Sequence, residues 1–204
     1  DSSGKSTLLR NMIHRISEGI PPSDAKLLVI DYRRQLLGEC PATHLAGYAS
    51  TKQDVQEFIS QLVPLLESRM PAGVDDPQTL RDRSWWKGPD IFLVVDDYDL
   101  VATSSGNPLQ GLLELLPYGR DIGLHMVVAR RCTGFSRTSF EPIMARLREL
   151  HPTIFLMSGT AEEGIIAGGR KARSLSKGRA DVISNQGTHQ VVQFAHHVGE
   201  EKTE

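Results

Sequence analysis

Leu8, Leu9, Met12, Ile13 and Ile16 recur at helical spacing through residues 5–18, while Arg10, Asn11, His14 and Arg15 fall largely elsewhere. Gly19 and the pair Pro21-Pro22 end that helix. The next apolar run, 26–31, is too short for a helix and predicts a buried parallel strand. Helical period returns over 51–70, with Val55, Phe58, Ile59, Leu62, Val63, Leu65 and Leu66 as the apolar stripe. Ser50 or Thr51 is placed to cap this helix, and Pro64 to kink or split it, because proline removes a backbone donor and crowds the preceding turn.

Two further apolar runs predict buried strands. Residues 91–95 end on Asp96-Asp97, and residues 124–129 end on Arg130-Arg131. Between them, 107–118 predicts a helix carrying Leu109, Leu112, Leu113, Leu115 and Leu116, more leucine than one core face needs, so part of it is expected to meet a neighbour. Residues 75–88 predict a short polar helix and the pair Trp85-Trp86, one ring packing under the sheet and the other covering an interface. Towards the end come a helix at 140–150, a strand at 153–157 and a helical turn within 161–169. A β-hairpin follows, its strands 178–184 and 190–194 flanking Asn185-Gln186-Gly187. Residues 1–198 read as one domain, with 199–204 frayed.

The chemistry concentrates where these elements start and stop. Residues 1–7, DSSGKST, match the end of a phosphate-binding loop, G-x-x-x-x-G-K-[ST], in which backbone N–H groups cradle phosphates, a lysine reaches the terminal phosphates and a hydroxyl holds magnesium. The first glycine of that pattern would fall two residues before Asp1, and the strand that delivers the loop would also lie upstream. Ser3, Gly4, Lys5, Ser6 and Thr7 are the candidate ATP-binding residues. The tripeptide alone is a weak signal; the helix that opens directly behind it is what a phosphate site needs, since a helix N-terminus offers free N–H donors to an anion. Asp96 and Asp97 would stand at the carboxyl edge of a parallel sheet, where ligands of α/β folds bind. Asp96, with Ser6, is the candidate Mg2+ ligand, and Asp97 the group that orients the attacking water. Alternatively the two acids cap an ordinary strand. Arg130 and Arg131 could sense a γ-phosphate or pair with surface acids.

These segments together resemble the FtsK/SpoIIIE family of RecA-like motor ATPases, with Val94-Val95-Asp96-Asp97-Tyr98 in the place of its acidic strand end and residues 119–133 in the place of its later G-R-x-x-G-I-H stretch. The wording of 95–109, 112–117 and 123–131 is similar to the C-terminal ATPase module of the EccC family of type VII (ESX) secretion motors. The resemblance implies a RecA-like three-layer α/β P-loop fold, its first strand and the start of the loop lying outside this chain, with a C-terminal hairpin. It implies an ATP and Mg2+ site in which Asp97 and Arg131 are the catalytic candidates. Three departures from the motor pattern point to slow turnover or none: Asp97 replaces the usual Glu, Arg130-Arg131 replace a Thr-Gln, and Cys132-Thr133 replace an Arg-Pro. The implied partners are small WXG-type secreted proteins, other ATPase modules of the same motor and membrane components of the secretion complex. The implied location is the cytoplasmic side of an inner-membrane-associated assembly. A competent DNA translocase and a purely structural docking module with a vestigial site are the alternatives.

Composition narrows these. Hydrophobic content of 39% and charged content of 24% are those of a soluble globular chain, and no apolar run approaches the roughly 20 residues that span a bilayer. Cys40 and Cys132 lack the spacing of a zinc site or a disulfide framework, and the histidines form no spaced ligand set; His196-His197 read as surface. With 23 basic against 25 acidic residues and a net charge of −2, the chain lacks the basic balance that duplex DNA rewards, so no specific nucleic-acid partner is expected. The densest basic cluster, Arg170, Lys171, Arg173, Lys177 and Arg179, has no interleaved aromatics for base stacking.

Overall fold

Alternation along two apolar strands sets the architecture. In β1 (Ala25–Ile30) Leu27 and Val29 face one side, Leu28 and Ile30 the other; in β3 (Asp90–Val95) Val94 faces with the first pair, Ile91, Leu93 and Val95 with the second. The computed structural model describes residues 3–135, 140–186 and 188–195. These two strands pair in parallel at the centre of a four-stranded sheet of order β2-β1-β3-β4, with β2 spanning Leu45–Ala49 and β4 Leu124–Val128. Helix α1 (Lys5–Gly19) covers one face through Leu9 and Ile13. The other face carries the larger core, built from α2 (Lys52–Glu67), the short α4 (Tyr98–Val101), two 3-10 turns (Pro108–Leu112 and Leu116–Tyr118) and α6 (Pro142–Glu149). A parallel sheet buried on both faces is the three-layer fold expected. Two small helices, α3 (Pro77–Asp82) and α5 (Gly119–Ile122), complete this half.

Strand β2 carries no strand signal in the sequence, because its five residues, LAGYA, include a glycine and only a weak apolar pattern. Gly47 is needed there: a Cβ at that position would lie 2.5 Å from the Phe58 ring of α2. Helix α2 begins at the expected cap. Thr51 Oγ1 accepts from the Asp54 N–H, and the Asp54 carboxylate accepts from the backbone N–H of Thr51, a reciprocal capping box. Pro64 does not split it; the helix continues to Glu67 with the proline in its last stretch, where few residues follow.

The leucine-rich segment corrects the sequence reading twice. It is not one helix but two 3-10 turns, each with proline at its start, and Gly111 brings it close against Ile59 and Val63 of α2. Leu109, Leu112, Leu115 and Leu116 are all buried in the core, so they offer no docking surface. The tryptophan pair also differs from expectation. Both rings are half-buried around Arg69: Trp85 Nε1 donates to the Arg69 carbonyl at 2.7 Å, and the Arg69 guanidinium stacks 4.2 Å above Trp86.

The C-terminal part forms its own antiparallel sheet, β5-β8-β9 (Ile154–Met157, Arg179–Ile183, His189–Gln193), beside a two-stranded ribbon of β6 (Ile165–Ala167) and β7 (Arg170–Lys171). The hairpin is as predicted; Gly187 of its turn, His196-His197 and the 199–204 tail lie outside the described residues. Within 161–169 only Ala161–Glu163 is a 3-10 turn, the rest being β6 and its glycines. Buried Asp181 accepts two bonds from Arg173 at 2.8 Å and one from His189 at 2.9 Å; the Arg173 bonds, followed by the His189 bond, hold its carboxyl well below the usual range. This sheet reaches the start of α1: the Gly178 N–H donates to the Ser3 carbonyl, and Asn11 Nδ2 to the Ala195 carbonyl.

Candidate functional site

The carboxyl ends of β1, β3 and β4 and the N-terminus of α1 converge on one edge of the parallel sheet. Gly4, at the helix entrance, holds left-handed backbone with φ 105° and caps the helix with no side chain, so first-turn N–H groups remain available to an anion. A side chain at this position would be strained, and its Cβ would stand 3.3 Å from the Gly178 backbone and the Met157 methyl. Lys5, Ser6 and Thr7 follow as the first turn of a helix 15 residues long.

Ser6 and Asp96, widely separated in sequence, are in contact: Ser6 Oγ donates to Asp96 Oδ2 at 2.7 Å. The second oxygen of Asp96 accepts from the Asp97 N–H at 2.9 Å. Burial raises the Asp96 carboxyl pKa; the Ser6 bond opposes the rise, and the neighbouring Asp97 and Asp31 charges add to it. A hydroxyl beside a carboxylate is an all-oxygen donor pair of the kind Mg2+ takes, with phosphate oxygens and water filling the other positions. Among the described residues no group of three or more His, Cys, Asp or Glu could hold a metal alone, which a phosphate-dependent Mg2+ site does not require. The residues present therefore fit the ion.

Asp97 follows with left-handed backbone, φ 44°, and its Oδ2 lies 3.2 Å from Nη1 of Arg33. Arg33 and the buried Asp31 that anchors its loop were not candidates from sequence; the run Asp31-Tyr32-Arg33-Arg34 after an apolar strand was their only signal. Of the two arginines after β4, Arg130 is held by Asp99 at 3.0 Å, the surface-acid alternative. Arg131 donates its backbone N–H to the same carboxylate at 2.8 Å, and its side chain is exposed. Cys132 is half-buried next to them, its thiol pKa pushed up by burial and opposed by the Lys5 and Arg130 charges. A cavity of about 320 Å³ lined by Asp24, Arg83, Trp86, Asp90 and Phe92 opens at the amino ends of the strands, away from the loop.

A parallel sheet with a glycine-led helix at its carboxyl edge, a helix-start serine bonded to a strand-end aspartate, and helices on both faces define a RecA-like P-loop ATPase fold. No family model matches the chain. It is 46% identical over 192 residues to the ESX-4 secretion system protein EccC4 of Mycobacterium tuberculosis, covering 94% of this chain and 16% of that protein. It is 41% identical over 193 residues to the ESX secretion system protein EccC of Thermomonospora curvata, covering 95% of this chain and 15% of that protein. Among solved structures, T. curvata EccC (ATPases 2 and 3) in complex with a signal sequence peptide superposes with a TM-score of 0.93 at 40% identity, over 97% of this chain and 36% of that one. The chain belongs to the EccC family of ESX secretion system proteins, and it spans about one sixth of the length of these curated relatives.

Proposed function

We propose that this module binds ATP with Mg2+ and hydrolyses it slowly or not at all, as part of a type VII secretion motor. The observation that carries the reading is the 2.7 Å contact from Ser6 at the helix start to Asp96 at the strand end, beside free N–H groups. Ser3, Gly4, Lys5, Ser6 and Thr7 would hold the phosphates and Ser6 with Asp96 the metal. Bound Mg2+ supplies charge neutralisation on the β- and γ-phosphates. Lys5 would add a point charge at the terminal phosphate, and Asp97 and Arg131 would take the catalytic roles. The module would work on the cytoplasmic side of a membrane-associated complex, docking small WXG-type secreted proteins and neighbouring ATPase modules; the peptide held by the T. curvata relative supports the docking reading. No helix of the described residues is long and apolar enough to cross a membrane, so contact with membrane components would come through partners or other sequence.

Titration of the complete protein with a fluorescent ATP analogue tests the site, with any further phosphate loop on the polypeptide silenced. Lys5→Ala is expected to weaken binding at least tenfold, about 1.4 kcal/mol. Unchanged affinity would rule the assignment out.

A further inference from the structure

Two residues other than glycine hold left-handed backbone at the nucleotide edge: Asp97, φ 44°, and Arg34, φ 56°. Such conformations persist only where surrounding contacts over-determine them, and they gather at functional sites. The contacts that fix the second are clear. Asp31, 1% exposed at the end of β1, accepts from the Leu36 N–H at 2.6 Å, the Arg33 N–H at 3.2 Å and the Tyr48 hydroxyl at 2.8 Å. Burial, then the bond to Asp31, raises the Tyr48 pKa, so the phenol stays a donor. Residues 31–36 are thereby a built platform rather than a slack loop, and they deliver the Arg33 guanidinium to the Asp97 carboxylate at 3.2 Å.

We infer that Arg33 is a positioning residue that holds the Asp97 carboxylate out of hydrolysis, so that the site retains nucleotide instead of consuming it; this rests on the ATP-binding reading above. In hydrolysis the water oxygen bonds to the γ-phosphorus, the bond to the bridging oxygen of ADP breaks, and the water proton passes to a base and finally to phosphate or solvent. Asp97 is the acid placed to orient that water, and an oxygen engaged by a guanidinium is no longer free to do it. The Arg33 side chain is 47% exposed and the Asp97 side chain 11%, so the cation is the more solvent-exposed member of a pair whose carboxylate is largely buried. A short catalytic side chain would also slow turnover, but it leaves Arg33 without a role.

Steady-state turnover and ATP-analogue affinity of the complete protein separate the two, with other phosphate loops silenced. Arg33→Gln is expected to raise kcat tenfold or more with nucleotide affinity within twofold. Arg33→Lys should restore the suppression, and adding Asp97→Asn to Arg33→Gln should abolish the gain. If Arg33→Gln leaves kcat unchanged while Asp97→Glu raises it, side-chain length is the limit and the inference is overturned, with the binding site intact. If the wild type binds no nucleotide, both readings fall. Should Arg33→Gln not fold, wild-type turnover decides: a half-exposed ion pair is screened by salt, so kcat should climb severalfold between about 0.05 and 0.5 M KCl, and a flat or falling profile would overturn the inference.

Discussion

Asp96 is an acid held where its charge is disfavoured. It is 2% exposed, and the carboxylates of Asp97 and Asp31 lie close enough to push its pKa further up. The sign follows from linkage: an acid whose folded pKa is raised binds more protons folded than unfolded, so stability falls as pH rises through that window, and the ionised form carries the penalty at neutral pH. Asp96→Asn should therefore stabilise the nucleotide-free protein, by about 2–4 °C in melting temperature for each kcal/mol released, while weakening the Mg2+ dependence of nucleotide binding. Calorimetry with and without Mg2+ and ATP checks both halves. A variant less stable than wild type would mean that the Ser6 and Asp97 N–H bonds outweigh the repulsion. The candidate acids and loop could be picked out in the sequence because each sits within a contiguous motif at an element boundary. Arg33 was not, because its meeting with Asp97 depends on the turn after β1, built from Asp31, Leu36 and Tyr48 of a neighbouring strand.

Elements were legible in proportion to how much of their environment their own period records. Strands β1, β3 and β4 and helices α1 and α2 carry continuous or periodic apolar runs, and all five form near the expected bounds. β2 was missed because its identity comes from the partners it lies between, β1 and the Phe58 ring, rather than from its residues. The leucine segment shows the opposite failure: a helical count of leucines was real, but Pro117 removes a backbone donor inside it, Gly111 weakens a helix at its middle, and tight turns bury the leucines more fully than one helix face could. Two substitutions test these local causes. Thr51→Ala removes half of the α2 capping box and should lower stability by about 1 kcal/mol. Gly47→Val should lower it by more, roughly 1–3 kcal/mol, because the Phe58 ring has to move. Urea unfolding measures both; a Gly47→Val protein as stable as wild type would mean the β2–α2 contact is loose.

At the scale of the whole molecule, partner choice is set by charge and by what the core has left outside. With 25 acids against 23 bases, the chain has no net attraction for a polyanion, and duplex DNA affinity derives chiefly from neutralised phosphates. Burial of Leu109, Leu112, Leu115 and Leu116 removes the leucine segment as a peptide seat, so a docked tail must use surface that the core does not already claim. The antiparallel sheet is tied to the segment before α1 through Gly178–Ser3 and to α1 through Asn11–Ala195, so a nucleotide held there would share one framework with the C-terminal surface. Binding that favours one arrangement of that framework would stabilise it by mass action, which would make the proposed slow ATPase useful as a ligand-held scaffold. The C-terminal tail of a small WXG-type protein is expected to bind with micromolar or weaker affinity, about −8 kcal/mol or less favourable. Labelled tail peptide and labelled duplex, titrated against the same protein at about 0.15 M salt, give the comparison. Weak, sequence-independent DNA binding beside measurable peptide binding is the expected pair of results. Tight DNA binding with no peptide binding would sink the secretion-substrate reading and promote a translocase, because the charge balance would then have hidden a local basic groove.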